Sequence, residues 1–129
     1  MQFKRRAYLE TKTTVPAAEA FITMNIVKTG STATKLEASQ FYNGGIAQFW
    51  NESAARATTM KMYYSMKETP GAITTGDWNE YDSVEVVADD GTAAGTSEIL
   101  WSRPYKWIAF TSVAAASTAS SLLMEVYGY

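Results

Sequence analysis

The chain has 129 residues, 47% of them apolar, and its 11 basic against 13 acidic residues leave a formal net charge of −2. That size fits one domain, residues 1–129, around one hydrophobic core, and so small a charge argues against general nucleic-acid binding, which neutralises many phosphates. The absence of cysteine and histidine excludes a disulfide framework, thiolate zinc sites, a cysteine nucleophile and a Ser-His-Asp triad within the chain.

In chain order, the pattern is one of short alternating segments set apart by Gly, Pro, Ser, Thr, Ala and Asp. A first strand is predicted over Gln2–Glu10, and Thr11–Ala17, with Pro16, reads as a connection. Ala20–Thr29 alternates, with Ile22, Met24 and Ile26 on one face, and Gly30-Ser31 turns the chain. Thr34–Tyr42 alternates loosely around Leu36 until Asn43-Gly44-Gly45 breaks it. Ile46–Trp50 reads as a short buried strand, and Asn51–Ala57 as a turn or a single helical turn. The clearest strand is Thr59–Lys67, which puts Met60, Met62, Tyr64 and Met66 on one face. A loop over Glu68–Gly76 leads to Asp77-Trp78, a strand follows at Ser83–Ala88, and Asp89-Asp90-Gly91 is a strong turn signal. Thr96–Trp101, Tyr105–Val113 and Ser121–Tyr127 complete the set. Ala114–Ser120 is expected as the hairpin loop that makes the last two strands antiparallel neighbours. Eight or nine strands at regular spacing predict an all-β antiparallel β-sandwich or jelly roll, in which each strand buries one face.

Four constellations carry candidate chemistry. Asp77, Glu80 and Asp82 beside Trp78 and Tyr81 could serve as an acid/base pair next to an aromatic sugar platform; the backbone demands of turns account for Asp77 and for Asp89-Asp90-Gly91 equally well. Those oxygens would also suit a hard cation, although no EF-hand spacing is present. Among the aromatics, Trp101 and Trp107 lie inside strands and should pack in a core or a subunit contact. Trp78 follows a loop and is expected to be exposed, so Trp78 and Tyr81 are the candidate ligand or interface residues. Lys4, Arg5 and Arg6 form a basic cluster that could grip nucleic acid or an acidic partner surface, but three charges at a strand start read rather as a solvated or interface rim. Gly44-Gly45 lacks the Lys and Ser/Thr of a phosphate-cradling loop. The small-residue run Ala114–Ser120 is either a plain loop or a surface that sits flush against another subunit. Nothing calls for a cofactor or a metal, no stretch has the length of a membrane span, and no export signal is expected from the first residues.

The second half of the chain carries Tyr63-Tyr64-Ser65, Trp78-Asn79-Glu80-Tyr81, Tyr105-Lys106-Trp107-Ile108-Ala109-Phe110 and Leu123-Met124-Glu125-Val126-Tyr127-Gly128-Tyr129. This series resembles the discoidin-type jelly roll, with its "YS" strand, "W-x-x-Y" turn, "R-Y-I-R" strand and closing "E-x-Y-G" strand. It is also similar to the strand signatures of small tail, neck and head-decoration proteins of tailed bacteriophages. Lys106 and Ala109 stand where the family has arginines, and its stapling cysteines are absent, so no ligand loop is carried over. A stretch from Ala38 to Lys61 faintly resembles small RNA-phage coats, but those end in helices and this chain in strands.

The resemblance implies a jelly roll in a virion. The expected function is that of a non-enzymatic structural protein, a capsid decoration or auxiliary protein assembling with copies of itself and with other virion proteins. The alternatives are a neck or tail component, or a carbohydrate-binding module marked by an exposed, coplanar aromatic pair. A glycosidase is the least favoured reading.

Overall fold

The computed structural model describes residues 3–14, 18–37, 41, 43–54, 56–114 and 121–129. Among the described residues eleven strands follow in order: β1 Lys4–Thr14, β2 Ala20–Phe21, β3 Met24–Ile26, β4 Thr32–Ala33, β5 Leu36–Glu37, β6 Gly45–Asn51, β7 Thr58–Ser65, β8 Asn79–Val86, β9 Gly95–Trp101, β10 Trp107–Ala114 and β11 Ser121–Gly128. They form a six-stranded sheet in the order β4-β3-β1-β11-β6-β9 and a five-stranded one in the order β2-β10-β7-β8, with β5 also on β10. Every pairing is antiparallel.

β2 and β5 share one edge of β10, opposite Thr111-Ser112 and Trp107-Ile108 respectively. They are two pieces of one interrupted strand. With them joined, the eight principal strands run 1-8-3-6 in one sheet and 2-7-4-5 in the other, which is jelly-roll topology. The all-β antiparallel sandwich expected from the sequence is therefore the fold observed.

Alternation builds the core between the sheets. β6 buries Ala47 and Phe49, β11 buries Leu122, Met124 and Val126, β7 buries Met60 and Met62, and β10 buries Ile108 and Phe110. Phe49 meets Phe110 edge-on at 6.1 Å, and Trp101 packs against Phe41 at 5.3 Å. Each such large side chain taken out of water contributes about 1.5–3 kcal/mol. Asn51, fully buried, is satisfied on both sides of its amide: Nδ2 donates to the carbonyls of Arg56 and Val86, and Oδ1 accepts from the Ser53 amide. It fixes the link from β6 to β7 through hydrogen bonds, and no helical turn is present among the described residues of 51–57.

Several expectations need correction. β10 and β11 are not neighbours: β10 lies in the five-stranded sheet beside β7, while β11 lies between β1 and β6 in the other. Each is most apolar on the face that points into the sandwich, and two facing sheets satisfy that as well as one hairpin does. The small-residue segment itself falls largely on 115–120, outside the described residues. The continuous strand predicted over Ala20–Thr29 is split, with β2 in one sheet and β3 in the other, and a turn begins at Val27. β1 runs on to Thr14 where a connection was expected, with register shifts on either side of Ala7-Tyr8-Leu9. β8 begins at Asn79, earlier than predicted, and only Leu36–Glu37 of the segment 34–42 is strand, with 38–40 and 42 outside the described residues. The break at Gly44-Gly45 is a close backbone approach: a Cβ on Gly44 would lie 2.1 Å from the Trp101 carbonyl oxygen, and one on Gly45 2.3 Å from that of Tyr127.

Candidate functional site

In a two-layer sandwich the inner faces make the core, so chemistry on the strands must come from the outer faces, and each sheet has a distinctive one. On the five-stranded sheet, outward-pointing Tyr63 and Ala109 are covered by Trp78 from the β7–β8 loop, with Phe21, Ile73 and Trp107 packed around them. Phe21 meets Trp78 edge-on at 4.9 Å and Tyr63 at 6.1 Å. The loop is latched by Asp77, which accepts from Lys67 Nζ and from the Gly71 amide, both at 2.8 Å, while Trp78 Nε1 donates to the Gly71 carbonyl at 2.9 Å. The Lys67 ammonium and then the Gly71 amide hold the Asp77 carboxyl down at about 2.

Beside this cluster a groove of about 440 Å³ opens, lined by Glu19, Phe21, Lys35, Ile73 and Trp78 among others. It lies where the strand formed by β2 and β5 is interrupted. Glu19 Oε1 accepts the hydroxyls of Tyr63 and Thr111. Burial works to raise the Glu19 pKa, but the two hydroxyls and the Lys61 ammonium outweigh it, and the net shift is downward. Burial and then the Glu19 carboxylate push the Tyr63 phenol well above its usual value. Lys35 donates to the Pro70 carbonyl at 3.2 Å and sits 4.7 Å over the Trp107 ring.

On the six-stranded sheet, register lines up the outward side chains in rows. Leu100, Ile46 and Tyr127 lie side by side across β9, β6 and β11, and Thr96, Trp50 and Leu123 form a parallel row. Between them runs a polar row of Glu98, Gln48 and Glu125. Leu100 is 57% exposed, the most open large apolar side chain of these rows.

The residues singled out from sequence are dispersed over these surfaces. Trp78 is only 9% exposed, so the expectation of an open platform is corrected: it packs inward because its indole N–H is used to hold the loop. Tyr81 points to the opposite face of the same sheet, meeting Tyr105 edge-on at 5.8 Å, so the two rings do not form a coplanar pair. The basic cluster is split as well. Lys4 is exposed, Arg5 makes a two-pronged ion pair with Glu125 at 2.7 and 2.8 Å above the Tyr8 ring, and Arg6 is half-buried. Glu80 pairs with Lys61 at 3.1 Å. Asp90 Oδ1 accepts the amides of Ala93 and Thr92, which hold it down at about 2, and Asp89 accepts from the Gly91 amide, with Gly91 at φ 95°. These carboxylates are tied up in turns and ion pairs.

Sequence reasoning missed Glu19, Phe21 and Lys35. Glu19 precedes a short apolar run that holds Phe21, and Lys35 adjoins a two-residue strand, so only the topology brings them together. Among the described residues no group of His, Cys, Asp and Glu could hold a metal ion, and no helix is long and apolar enough to cross a membrane. No family profile matches the chain, and no curated protein is significantly similar to it.

Proposed function

We propose that this chain is a structural jelly roll that works by assembly, docking through the outer face of its six-stranded sheet. The carrying observation is the pair of apolar rows, Leu100-Ile46-Tyr127 and Trp50-Leu123, on the outer face of the sheet, where Leu100 is exposed and the other four are half-buried. The inner face already supplies the core, so folding alone does not call for apolar side chains here, whereas burial against a neighbour does. Arg5 and Glu125 neutralise each other on that face, which lowers the electrostatic cost of covering it.

The particular assembly proposed is a bacteriophage virion, with the chain as a capsid decoration or auxiliary protein, and a neck or tail position as the alternative. That step rests on the strand signatures of the C-terminal half. The role is mechanical, with no catalytic step: many copies bind one another or the shell proteins and stabilise the assembled state by mass action.

Light scattering coupled to size exclusion tests the association. The wild-type chain is expected to run as a closed oligomer, and Leu100→Lys or Ile46→Lys, each placing a charge in the apolar row, to shift it to monomer without lowering the unfolding temperature. A wild-type chain that stays monomeric up to high concentration would remove self-assembly from the reading. A charge-insensitive oligomer would place the interface elsewhere.

A further inference from the structure

The groove on the other sheet is independent of that interface. We infer that it is a saccharide site, and that it takes an uncharged disaccharide unit, either free or within a longer glycan.

Three features argue for this class of ligand. First, the groove has a built origin. β10 is paired by β2 at Thr111 and by β5 at Trp107, and the chain leaves that edge between them, so Glu19 to Phe21 and Thr34-Lys35 stand on either side of a gap whose remaining wall is the loop from Pro70 to Thr74 with Trp78. Its volume, about 440 Å³, lies within the range of small-molecule sites. Second, its walls combine apolar and polar groups as a sugar does. Phe21, Ile73 and Trp78 offer apolar surface for C–H faces. Glu19 has one oxygen fully engaged by Tyr63 and Thr111, while its other oxygen accepts no bond from the described residues and is fixed in place by the first. Lys35 is held by Pro70 and Trp107, and among the described residues it donates only to Pro70, which leaves N–H donors for a ligand. An acceptor and a donor of this kind suit hydroxyl groups, which are both.

Third, the charges set the ligand's charge and length. One carboxylate and one ammonium line the groove, so it carries no net charge from them, and an ionic ligand would meet repulsion from one of the two. Glu19 is anchored at Thr111 and Lys35 over Trp107. Those anchors are four residues apart on β10, which at the rise of a strand is about 13 Å. That separation suits two linked rings better than one. The site differs from the exposed coplanar pair that would have marked a carbohydrate-binding module in the sequence reading: the aromatic surface is a wall, and the polar contacts come from elements that sequence does not connect.

The experiment is an amide chemical-shift titration of the intact chain with cellobiose, maltose, lactose and chitobiose in turn, followed by the same titration of Glu19→Gln, Lys35→Met and, as a control on the opposite sheet, Glu98→Gln. The expected result is weak, saturable binding of at least one disaccharide, with shifts centred on Phe21, Lys35 and Ile73. Each groove substitution should weaken it about tenfold or more, the equivalent of one lost polar contact, and Glu98→Gln should leave it unchanged. No saturable shift with any of the four sugars overturns the inference, as do shifts that map away from the groove or affinities that both groove substitutions leave untouched. Mapping on the wild-type chain keeps the test decisive should a variant fold poorly. Because Leu100→Lys lies on the other sheet, it should bind sugar normally, so failure of assembly and failure of this site are separable.

Discussion

Replacing Tyr63 by Phe removes one oxygen and leaves the ring in its place against Phe21. What is lost is the hydroxyl that donates to Glu19, a bond between a phenol and a carboxylate in a partly buried setting. Hydrogen bonds to charged groups contribute about 1.5–3 kcal/mol. Thr111 still donates to the same oxygen, and the carboxylate keeps some access to water, so the expected loss at neutral pH is about 1–2 kcal/mol. For a chain of this size that corresponds to a drop in melting temperature of about 3–10 °C. The pH dependence is the sharper test. The Glu19 pKa is lowered in the folded protein, so its contribution is fully present above the unfolded carboxylate value and is lost as pH falls through the folded one. Tyr63 is the largest of the groups that lower it. The gap between wild type and Tyr63→Phe, followed by urea unfolding, should therefore be widest at neutral pH and narrow below the folded pKa, where both proteins hold a neutral acid. A gap of the same size across that range would show that Tyr63 does not act through the ionised carboxylate, and no gap at neutral pH would refute the hydrogen bond's contribution altogether.

Gly44→Ala should cost about 2–4 kcal/mol, since its Cβ would meet the Trp101 carbonyl and only a backbone shift can relieve it; denaturant unfolding reads this directly. Asp77→Asn should leave the core intact but loosen the loop from Glu68 to Trp78, raising its cleavage by a nonspecific protease at neutral pH. The Asp77 pKa is depressed to about 2, so in the wild type the same loosening should appear as pH falls toward that value and not above the ordinary carboxylate range. Equal protection of the variant and wild-type loops would mean that Trp78 alone holds it.

The fold was legible where a strand alternates toward the core between the sheets. Thr58–Ser65 carries Met60, Met62 and Tyr64 at every second position as predicted, while Met66, predicted on the same face, lies beyond the end of the strand and is exposed. What alternation does not encode is the partner. Tyr105–Val113 and Ser121–Tyr127 look like a hairpin because they are consecutive and alternating, yet in a jelly roll consecutive strands mostly change sheets. The same limit hid the groove. Trp78 is prominent in the sequence and ended up buried, whereas Glu19 and Lys35 stand out in no pattern. They share a site because β2 and β5 take up the same edge of β10 on either side of an excursion through β3 and β4. Topology of that kind depends on which strands find each other, a property of the whole set of faces and of none singly.

The two outer faces also bear on each other. A sandwich puts them on opposite sides of a core about 10 Å thick, so a copy docked by its six-stranded sheet turns the other sheet, and the groove, away from the contact. Their chemistry divides in the same way. The first face carries partly exposed apolar rows with Arg5 and Glu125 paired off, as suits a surface that is covered once and stays covered. The second holds its aromatic groups half-sunk under a latched loop and leaves a carboxylate oxygen and an ammonium available, as suits a surface that exchanges a hydrated ligand. A glycan site on an assembled shell would then gain from repetition: weak binding by single copies, multiplied across neighbours that face the same way, becomes firm attachment without any new contact. Weak monomer affinity and strong retention of the assembled form on a glycan-coated surface are the joint signature of that arrangement, and equal retention of monomer and assembly would argue against it.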